Sequence, residues 1–544
     1  MIAADGKYTI DVSDLTPPFM MRADGNVGGR HYSLYSAAAV ADINGTVNIT
    51  PLTDLIVSNI ASQIAETIYN NGDFSGMTTD ALNQAETELQ MRLQPILTAV
   101  GLADSIDLLR ATFNADHLGL DGVLDILRVT TDPVLGEATI LNIITNQQII
   151  DDLASQADTT ILDDTTGVVT GLTDTQQIIA GFDAFSSRFA TALPASDDAT
   201  LIALFDGANF LLDGQDLNAF LSEITTDPQL IGITFNVTFN SLTPVGAPTS
   251  ARVSFSVINA DGSEECQTGC DDWLMNKVDG IWLIAGNQRI AQAWVDTFAR
   301  NDSTGIIDTG LRMEIQDEGG RRIDYAIVKG KGLPTTTGGA DGISAGALLV
   351  NFTNDSSFRL AQADAAYAGI NTPSITSGHN QFPLLDEAIS VFGEDEVYTV
   401  ELWDDPDSTP SDLSDDTLLA SYTNVIGKRP YLNSELSAAS FPTITTTPAA
   451  IGAFATAGGN LTVTWILPIG LQSEEVHFSR NGGCTGIGSC GADSESTNNT
   501  AASTATSILL TIGAPTFTVE GSGINLSVLD GFGRELETQL NGEQ

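Results

Sequence analysis

Lysine is nearly missing from this chain of 544 residues: Lys7, Lys277, Lys329, Lys331 and Lys428 are the only examples. Lys and Arg together number 21 against 70 Asp and Glu, a formal charge of −49. A field of that sign repels phosphate backbones and anionic lipid heads, so nucleic acid is excluded as a partner. Histidine is as scarce as cysteine, with four of each. Nucleophilic catalysis needs a Ser or Cys with a positioned base, and His31, His117, His379 and His477 fall in segments of different expected domains. No run approaches about 18 continuous apolar residues, so direct membrane insertion is not expected. No Gly-x-Ser-x-Gly elbow, P-loop or dinucleotide fingerprint stands where a strand meets a helix.

What is present is the material of folded modules. Hydrophobic residues make up 42% and charged residues only 17%, so the acid coats folded surface and does not form a disordered tail. The length predicts several cores, at roughly 100–200 residues per domain. The cysteines form two close pairs, Cys266/Cys270 and Cys484/Cys490, each in a polar, Gly-containing segment. Each pair reads as a local disulfide, which favours an oxidising compartment; a zinc site needs converging ligands that the distant histidines do not supply. Met1-Ile2-Ala3-Ala4 runs directly into Asp5-Gly6-Lys7-Tyr8 with no signal peptide. The expectation is a chain cut from a longer precursor, with an export signal, and with or without a lipid anchor, upstream.

Residues 1–46 alternate as strands, with Tyr8, Ile10 and Val12, then Phe19 and Met21, then Tyr32, Leu34 and Tyr35. Asp5-Gly6-Lys7-Tyr8-Thr9-Ile10-Asp11-Val12 followed by Pro18-Phe19-Met20-Met21-Arg22-Ala23 resembles the last strands of carboxypeptidase regulatory-like, transthyretin-like domains. The resemblance implies part of a β-sandwich, whose open edges need a missing strand, a covering segment or a partner. At Thr50-Pro51 the period changes to four, with Leu52, Ile56, Ile60, Ile64 and Ile68 in line, and a helix starts. Together with a second amphipathic run from Thr79, kinked or divided at Pro95, it predicts a helical bundle over 47–150. This pairing resembles an arrangement in bacterial surface proteins. Asp, Thr and Gly dominate 151–172, a linker.

Over 173–304 a helix carrying Ile178, Phe182, Phe185 and Phe189 precedes alternating strands at Ile233, Phe235, Val237 and Phe239 and the hairpin Lys277-Val278-Asp279-Gly280-Ile281-Trp282. This order resembles the cone-shaped α+β fold of nuclear transport factor two-like proteins. The resemblance implies a concave apolar pocket, which Trp273, Asp213, Asp216 and Arg289 would line. Enzymes of that family use Asp with His or Tyr there, and 173–300 contains neither His nor Tyr. Short strands between Gly, Pro and Asp turns predict a β-sandwich over 305–440. Leu461-Thr462-Val463-Thr464-Trp465, Val476-His477-Phe478 and Ile508-Leu509-Leu510 resemble a fibronectin type III domain over 441–544, although the late strand Ile524–Val528 lacks that family's usual tyrosine.

The predicted class is therefore multidomain α+β, with β-sandwich modules, a helical bundle and a central cone-shaped domain. For metals, calcium is the expectation at Asp404, Asp405 and Asp407, where hard oxygen ligands crowd without the EF-hand spacing; the alternative there is a solvated turn. For function, the first expectation is a non-enzymatic extracellular or cell-surface protein, binding an extracellular ligand, a glycan or another surface protein by adhesion or capture. The alternatives are small-molecule binding or catalysis in the central domain, and a structural subunit that completes its first sandwich with a neighbour's strand.

Overall fold

The computed structural model describes residues 6–27, 30–103, 105–132, 135–154, 160–260, 262, 264–265, 272–317, 323–333, 346–350, 358–360, 380–393, 396–405, 416–482, 494–501 and 504–543. The architecture is mixed α and β with several open sheets, in keeping with a multidomain α+β fold. Contacts divide the chain into two units, residues 1–211 with 216–288 and residues 212–215 with 289–544.

The first unit opens with the antiparallel hairpin β1 (Phe19–Val27) and β2 (Arg30–Ala38), then α1 (Pro51–Ala61), α2 (Ala65–Asn71), α3 (Thr79–Ala99) and α4 (Gly119–Ile126). Helix α1 begins where Thr50 and Pro51 predict. The Thr50 hydroxyl accepts the Thr53 N–H at 3.2 Å, and the Thr53 hydroxyl accepts the Thr50 N–H at 2.8 Å, so two orphan donors of the first turn are satisfied reciprocally. The hairpin is hooked to this helix: the Tyr35 N–H donates to Asp54 and the Tyr35 carbonyl accepts from Thr53. The four-residue apolar run divides at Ser62, which takes a left-handed φ of 53°. Helix α3 continues through Pro95, because the carbonyl that loses its partner belongs to Met91 on the helix's exposed side.

Beyond α4 the expected bundle gives way to a three-stranded meander, β3 (Leu127–Asp132), β4 (Glu137–Asn142) and β5 (Gln148–Asp152). Val129, Thr130, Thr131, Thr139, Ile140, Ile149 and Ile150 are β-branched, and burial alternates along β4 and β5, so period two wins over the helical reading. Helix α5 (Val168–Phe189) starts inside the expected linker and is followed by α6 (Ala199–Ile202) and α7 (Leu217–Ile224). An antiparallel sheet completes the unit, with β6 (Thr234–Thr243), β7 (Ser250–Ile258), β8 (Glu264–Glu265), β9 (Trp273–Val278) and β10 (Ile281–Gly286). Its order is β10-β9-β7-β6, and β8 pairs with β7.

The second unit contains β11 (Gln292–Asn301), β12 (Ile307–Gln316), β13 (Tyr325–Lys329), β14 (Ala347–Val350), β15 (Arg359–Leu360), β16 (Gln381–Pro383), α8 (Asp386–Ile389), β17 (Glu396–Asp404) and β18 (Thr417–Ile426). It ends with β19 (Thr443–Ile444), α9 (Pro448–Ala457), β20 (Gly459–Ile466), β21 (Gln472–Asn481), β22 (Ser494–Thr500), β23 (Ser507–Ile512), β24 (Gly521–Leu529) and β25 (Glu535–Asn541). The large sheet runs β16-β12-β11-β25-β24-β21-β22, with the C-terminal strand β25 parallel to β11. The expected divisions at 304 and 440 thus do not separate sheets: 304 falls in the β11–β12 turn, and strands from both sides of 440 share hydrogen bonds. One face of this sheet is apolar. Val295, Leu311 and Met313 pack with Val328, Leu349, Val400 and Leu402 of the sheet β15-β14-β13-β17-β18, while Phe478, Ile524, Leu526 and Leu536 pack with Phe454 of α9 and Trp465 of β20. Trp465, the residue behind the fibronectin-type resemblance, is buried and donates from Nε1 to Ser473 Oγ at 3.0 Å.

Candidate functional site

The resemblance implied a pocket between α5 and the β6–β10 sheet, and the side chains there form an aromatic core. Phe182 and Phe185 of α5, Phe205, Phe210, Phe220 of α7, Phe235 of β6, Phe255 of β7 and Trp273 of β9 make a continuous chain of ring contacts. The Phe182–Phe255 and Phe255–Trp273 centroids are each 5.0 Å apart, the spacing of packed aromatic pairs. Trp273 is 4% exposed and packs as a core residue.

The polar residues proposed to line the pocket have other duties. Asp216 caps α7, its Oδ1 accepting the Ala219 N–H at 2.9 Å. Asp213 is buried in a left-handed turn at φ 48°, and the next N–H, of Gly214, donates to the Arg289 carbonyl at 2.9 Å. The Arg289 guanidinium lies 5.2 Å from the Tyr422 ring centre and donates to the Ala293 carbonyl at 3.0 Å. Trp273 and Asp216 belong to the first unit, and Asp213 and Arg289 to the second.

The Lys-x-Asp-Gly-x-Trp hairpin has a task that sequence reasoning did not assign. Asp279 and Gly280 take φ of 51° and 84°, the left-handed pair of a tight hairpin turn, which sets Lys277 opposite Trp282. Both then reach one carboxylate oxygen of Asp174 on α5: Lys277 Nζ at 2.6 Å and Trp282 Nε1 at 3.0 Å. Asp174 is 1% exposed, and its other oxygen has no hydrogen-bond partner. This is a clamp of helix to sheet, built on a buried, charge-assisted pair.

Of the calcium candidates, Asp404 ends β17, and Asp405 is buried with its N–H donating to Asp324 at 2.9 Å. Asp407 lies outside the described residues, as do Cys266, Cys270, Cys484 and Cys490. Among the described residues no group of three or more His, Cys, Asp or Glu side chains is placed to hold a metal ion. Around the start of α4 the carboxylates serve the backbone: Asp116 of the preceding loop accepts the Leu118 N–H, and Asp121 of the first helical turn accepts the His117 N–H. His117 Nδ1 meets Asp125 at 2.9 Å, and that carboxylate raises the imidazole above its usual range.

A second polar constellation lies on the face of the large sheet opposite the core. Asp296 of β11 pairs in register with Arg312 of β12, which pairs in turn with Gln381 of β16. The Arg312 guanidinium bonds Glu535 of β25, stands 3.8 Å from Asp296 and lies 5.0 Å from the Trp294 ring centre. Glu474 and Glu475, at the bulged start of β21, act electrostatically on the same arginine and on Glu535. Burial, reinforced by Glu535, pushes Asp296 up to about 6 and Glu474 up to about 8. The signal for this face was the alternation Trp294-x-Asp296, Arg312-x-Glu314 and Glu535-x-Glu537; what sequence hid was the pairing of β25 with β11.

No protein-family model matches the chain, and no curated protein matches it. Among solved structures, the red sea bream transglutaminase shares 11% identity over 65% of this chain, at a TM-score of 0.12. The match spans 47% of that protein's chain, and a TM-score this low carries no argument about fold or activity.

Among the described residues no helix is long and apolar enough to cross a membrane.

Proposed function

We propose that this chain is a non-enzymatic extracellular or cell-surface protein that captures ligands or adheres through modules in series. The observation that carries the reading is the aromatic core between α5 and the β6–β10 sheet. Phenyl and indole rings occupy the place where a catalytic or small-molecule pocket would lie, and Asp216 and Arg289 are engaged in a helix cap and a cation–π contact. The surface chemistry agrees with it: a folded chain of formal charge −49 stays dispersed in salt and presents acids, amides and hydroxyls to a glycan, to calcium or to another surface protein. The test is a thermal-shift screen of the full chain against calcium, a glycan set and small apolar acids. The reading expects shifts from calcium or glycans. A saturable shift from an apolar acid, with turnover of any substrate, would replace it with the enzyme alternative.

A second reading has one observation in its favour. Strands β1 and β2 pair only with each other among the described residues, and while Tyr35 of β2 spends its backbone groups on α1, the outer edge of β1 pairs with no other strand and could take one from a neighbouring copy. Light scattering on the purified chain decides it: assembly that grows with concentration supports the structural-subunit reading, and a monomer at every concentration removes it.

A further inference from the structure

The outer strand of a sheet offers its backbone groups to another chain, and proteins blunt such edges with charge, proline, a bulge or a covering segment. Strand β18 closes the order β15-β14-β13-β17-β18, and among the described residues no strand pairs with its outer side. Over Thr417–Ile426 it carries no charged residue, no proline and no glycine, in a chain with 70 acids. Its one irregularity, at Leu419, lies near the start, and pairing with β17 is regular from Ala420 to Ile426. Among the described residues β6 is the other edge strand of ten residues without charge, and its side is occupied: Arg128 donates to the Phe239 carbonyl at 2.8 Å.

Charge identifies what covers this edge. Two of the five lysines in the chain are spent beside it: Lys329 Nζ lies 2.6 Å from Glu401 and Lys331 Nζ 2.7 Å from Glu396, so both glutamates of β17 are paired. The solvent face of β17 and β18 then shows Val397, Thr399, Ser421, Thr423 and Val425, with Val397 58% and Val425 39% exposed. Another copy of this acidic chain is repelled over most of the surface and meets least resistance where that surface is neutral. The ends of the strand differ in sign, with Asp416 before it and Lys428 after it. Antiparallel pairing about a two-fold axis near Tyr422 and Thr423 brings Asp416 of one copy to the Lys428 end of the other. It also keeps the two Asp416 residues about 40 Å apart, at roughly 3.4 Å per residue and far beyond a Debye length of about 8 Å.

We propose that β18 pairs antiparallel with β18 of a second copy, joining two five-stranded sheets into one continuous sheet in a closed dimer. Main-chain hydrogen bonds supply the attraction, and on the solvent face Ser421, Thr423 and Val425 lie opposite residues of the same kinds. The two-fold operation consumes the β18 edge of both copies, so association stops at two. The inference goes beyond both readings above: it uses a different edge from that of β1, and it needs no ligand. Its consequence for capture is that any ligand site is presented twice.

The experiment is sedimentation equilibrium of the full chain over a wide concentration range, at low and at physiological salt. The mass is expected to rise from one chain to two and no further, and the dimer to tighten as salt screens the repulsion between the acidic bodies. The double variant Ser421→Lys with Thr423→Lys, which sets like charges opposite each other across the axis, is expected to weaken the dimer at least tenfold, and so is Ser421→Glu with Thr423→Glu. An equimolar mixture of the two variants is expected to recover association close to that of the parent. Both pairs of substitutions lie on exposed positions, and melting temperature checks that the fold is kept. Hydrogen exchange in the parent gives a readout free of substitution: peptides spanning 417–426 are expected to exchange more slowly as concentration rises, while 459–466 do not change. A monomer at every concentration, exchange over 417–426 that ignores concentration, or variants that fail to recover on mixing would overturn the proposal. Assembly unaffected by the lysines would also overturn it, and would assign the contact to the β1 edge and the structural-subunit reading.

Discussion

Removing Lys277 tests most directly whether the Asp174 clamp holds the β9–β10 hairpin to α5. In the native fold Asp174 is 1% exposed and takes two donors on one oxygen, from Lys277 and from Trp282. Lys277→Met leaves that carboxylate buried and held by the indole N–H alone. Breaking a buried pair from one side costs about 3–5 kcal/mol, and the partial exposure of the lysine places this case near 3. Asp174→Ala leaves the Trp282 N–H without an acceptor in the interior, a loss of about 1–3 kcal/mol, added to the loss of the ion pair. The double variant Lys277→Met with Asp174→Leu removes both charges and fills the volume, so it is expected to recover to within about 1–2 kcal/mol of the parent. Because the chain has more than one unit, the assay is hydrogen exchange followed on peptides spanning 273–286, with 459–466 as an internal control. Faster exchange in the first peptide alone, reversed in the double variant, is the expected pattern. Unchanged protection in Lys277→Met would refute the clamp.

Three further outcomes follow from the structure. His117 is raised by its bond to Asp125, so its contribution to stability is complete below about 6.5 and is lost as pH rises through the higher folded value; His117→Asn, which tolerates the left-handed φ of 60°, should flatten melting temperature across that window. Asp54 is pushed up to about 7 by burial, so the folded state keeps a proton that the unfolded chain releases near 4; its stabilising effect is full below that value and disappears as pH rises through 7, and Asp54→Asn should remove this slope in a urea titration at several pH values. Trp465→Ala should cost about 3–5 kcal/mol through the cavity it opens, and it removes the bond that the Ser473 hydroxyl accepts, leaving that hydroxyl its donation to the Ala505 carbonyl; denaturant unfolding followed by the remaining tryptophans measures it.

Local signals in the sequence were read correctly where one residue type decides the backbone. Thr50-Pro51 gave the start of α1, the Phe182, Phe185 and Phe189 face gave the buried side of α5, and Asp279-Gly280 gave the hairpin turn. The segment 127–152 was misread because a helical neighbour lent its period to short β-branched runs whose own alternation spans only five or six residues. The link between β11 and β25 had no local signature at all. Parallel pairing between strands at opposite ends of a unit depends on which edges remain after the intervening strands have paired, and no window of sequence contains both partners.

The candidate site divides along the same line. Trp273, Asp213, Asp216 and Arg289 were chosen because a pocket was implied by resemblance, yet an aromatic side chain on an inward strand position packs with its neighbours as readily as it lines a cavity. The carboxylate face around Arg312 was illegible because acids are everywhere in this chain, and only their convergence from β11, β12, β21 and β25 distinguishes these from the solvated rest.

The account rests on the aromatic core being filled, and one measurement addresses that directly: fluorescence and melting temperature of the full chain titrated with small apolar acids, alongside the variant Phe185→Ala. The account predicts no saturable change in the parent protein, and a response in the variant once a cavity has been opened among Phe182, Phe205 and Phe235. Saturable binding to the parent, lost when Phe255 or Trp273 is altered, would contradict it and establish a working pocket in the first unit.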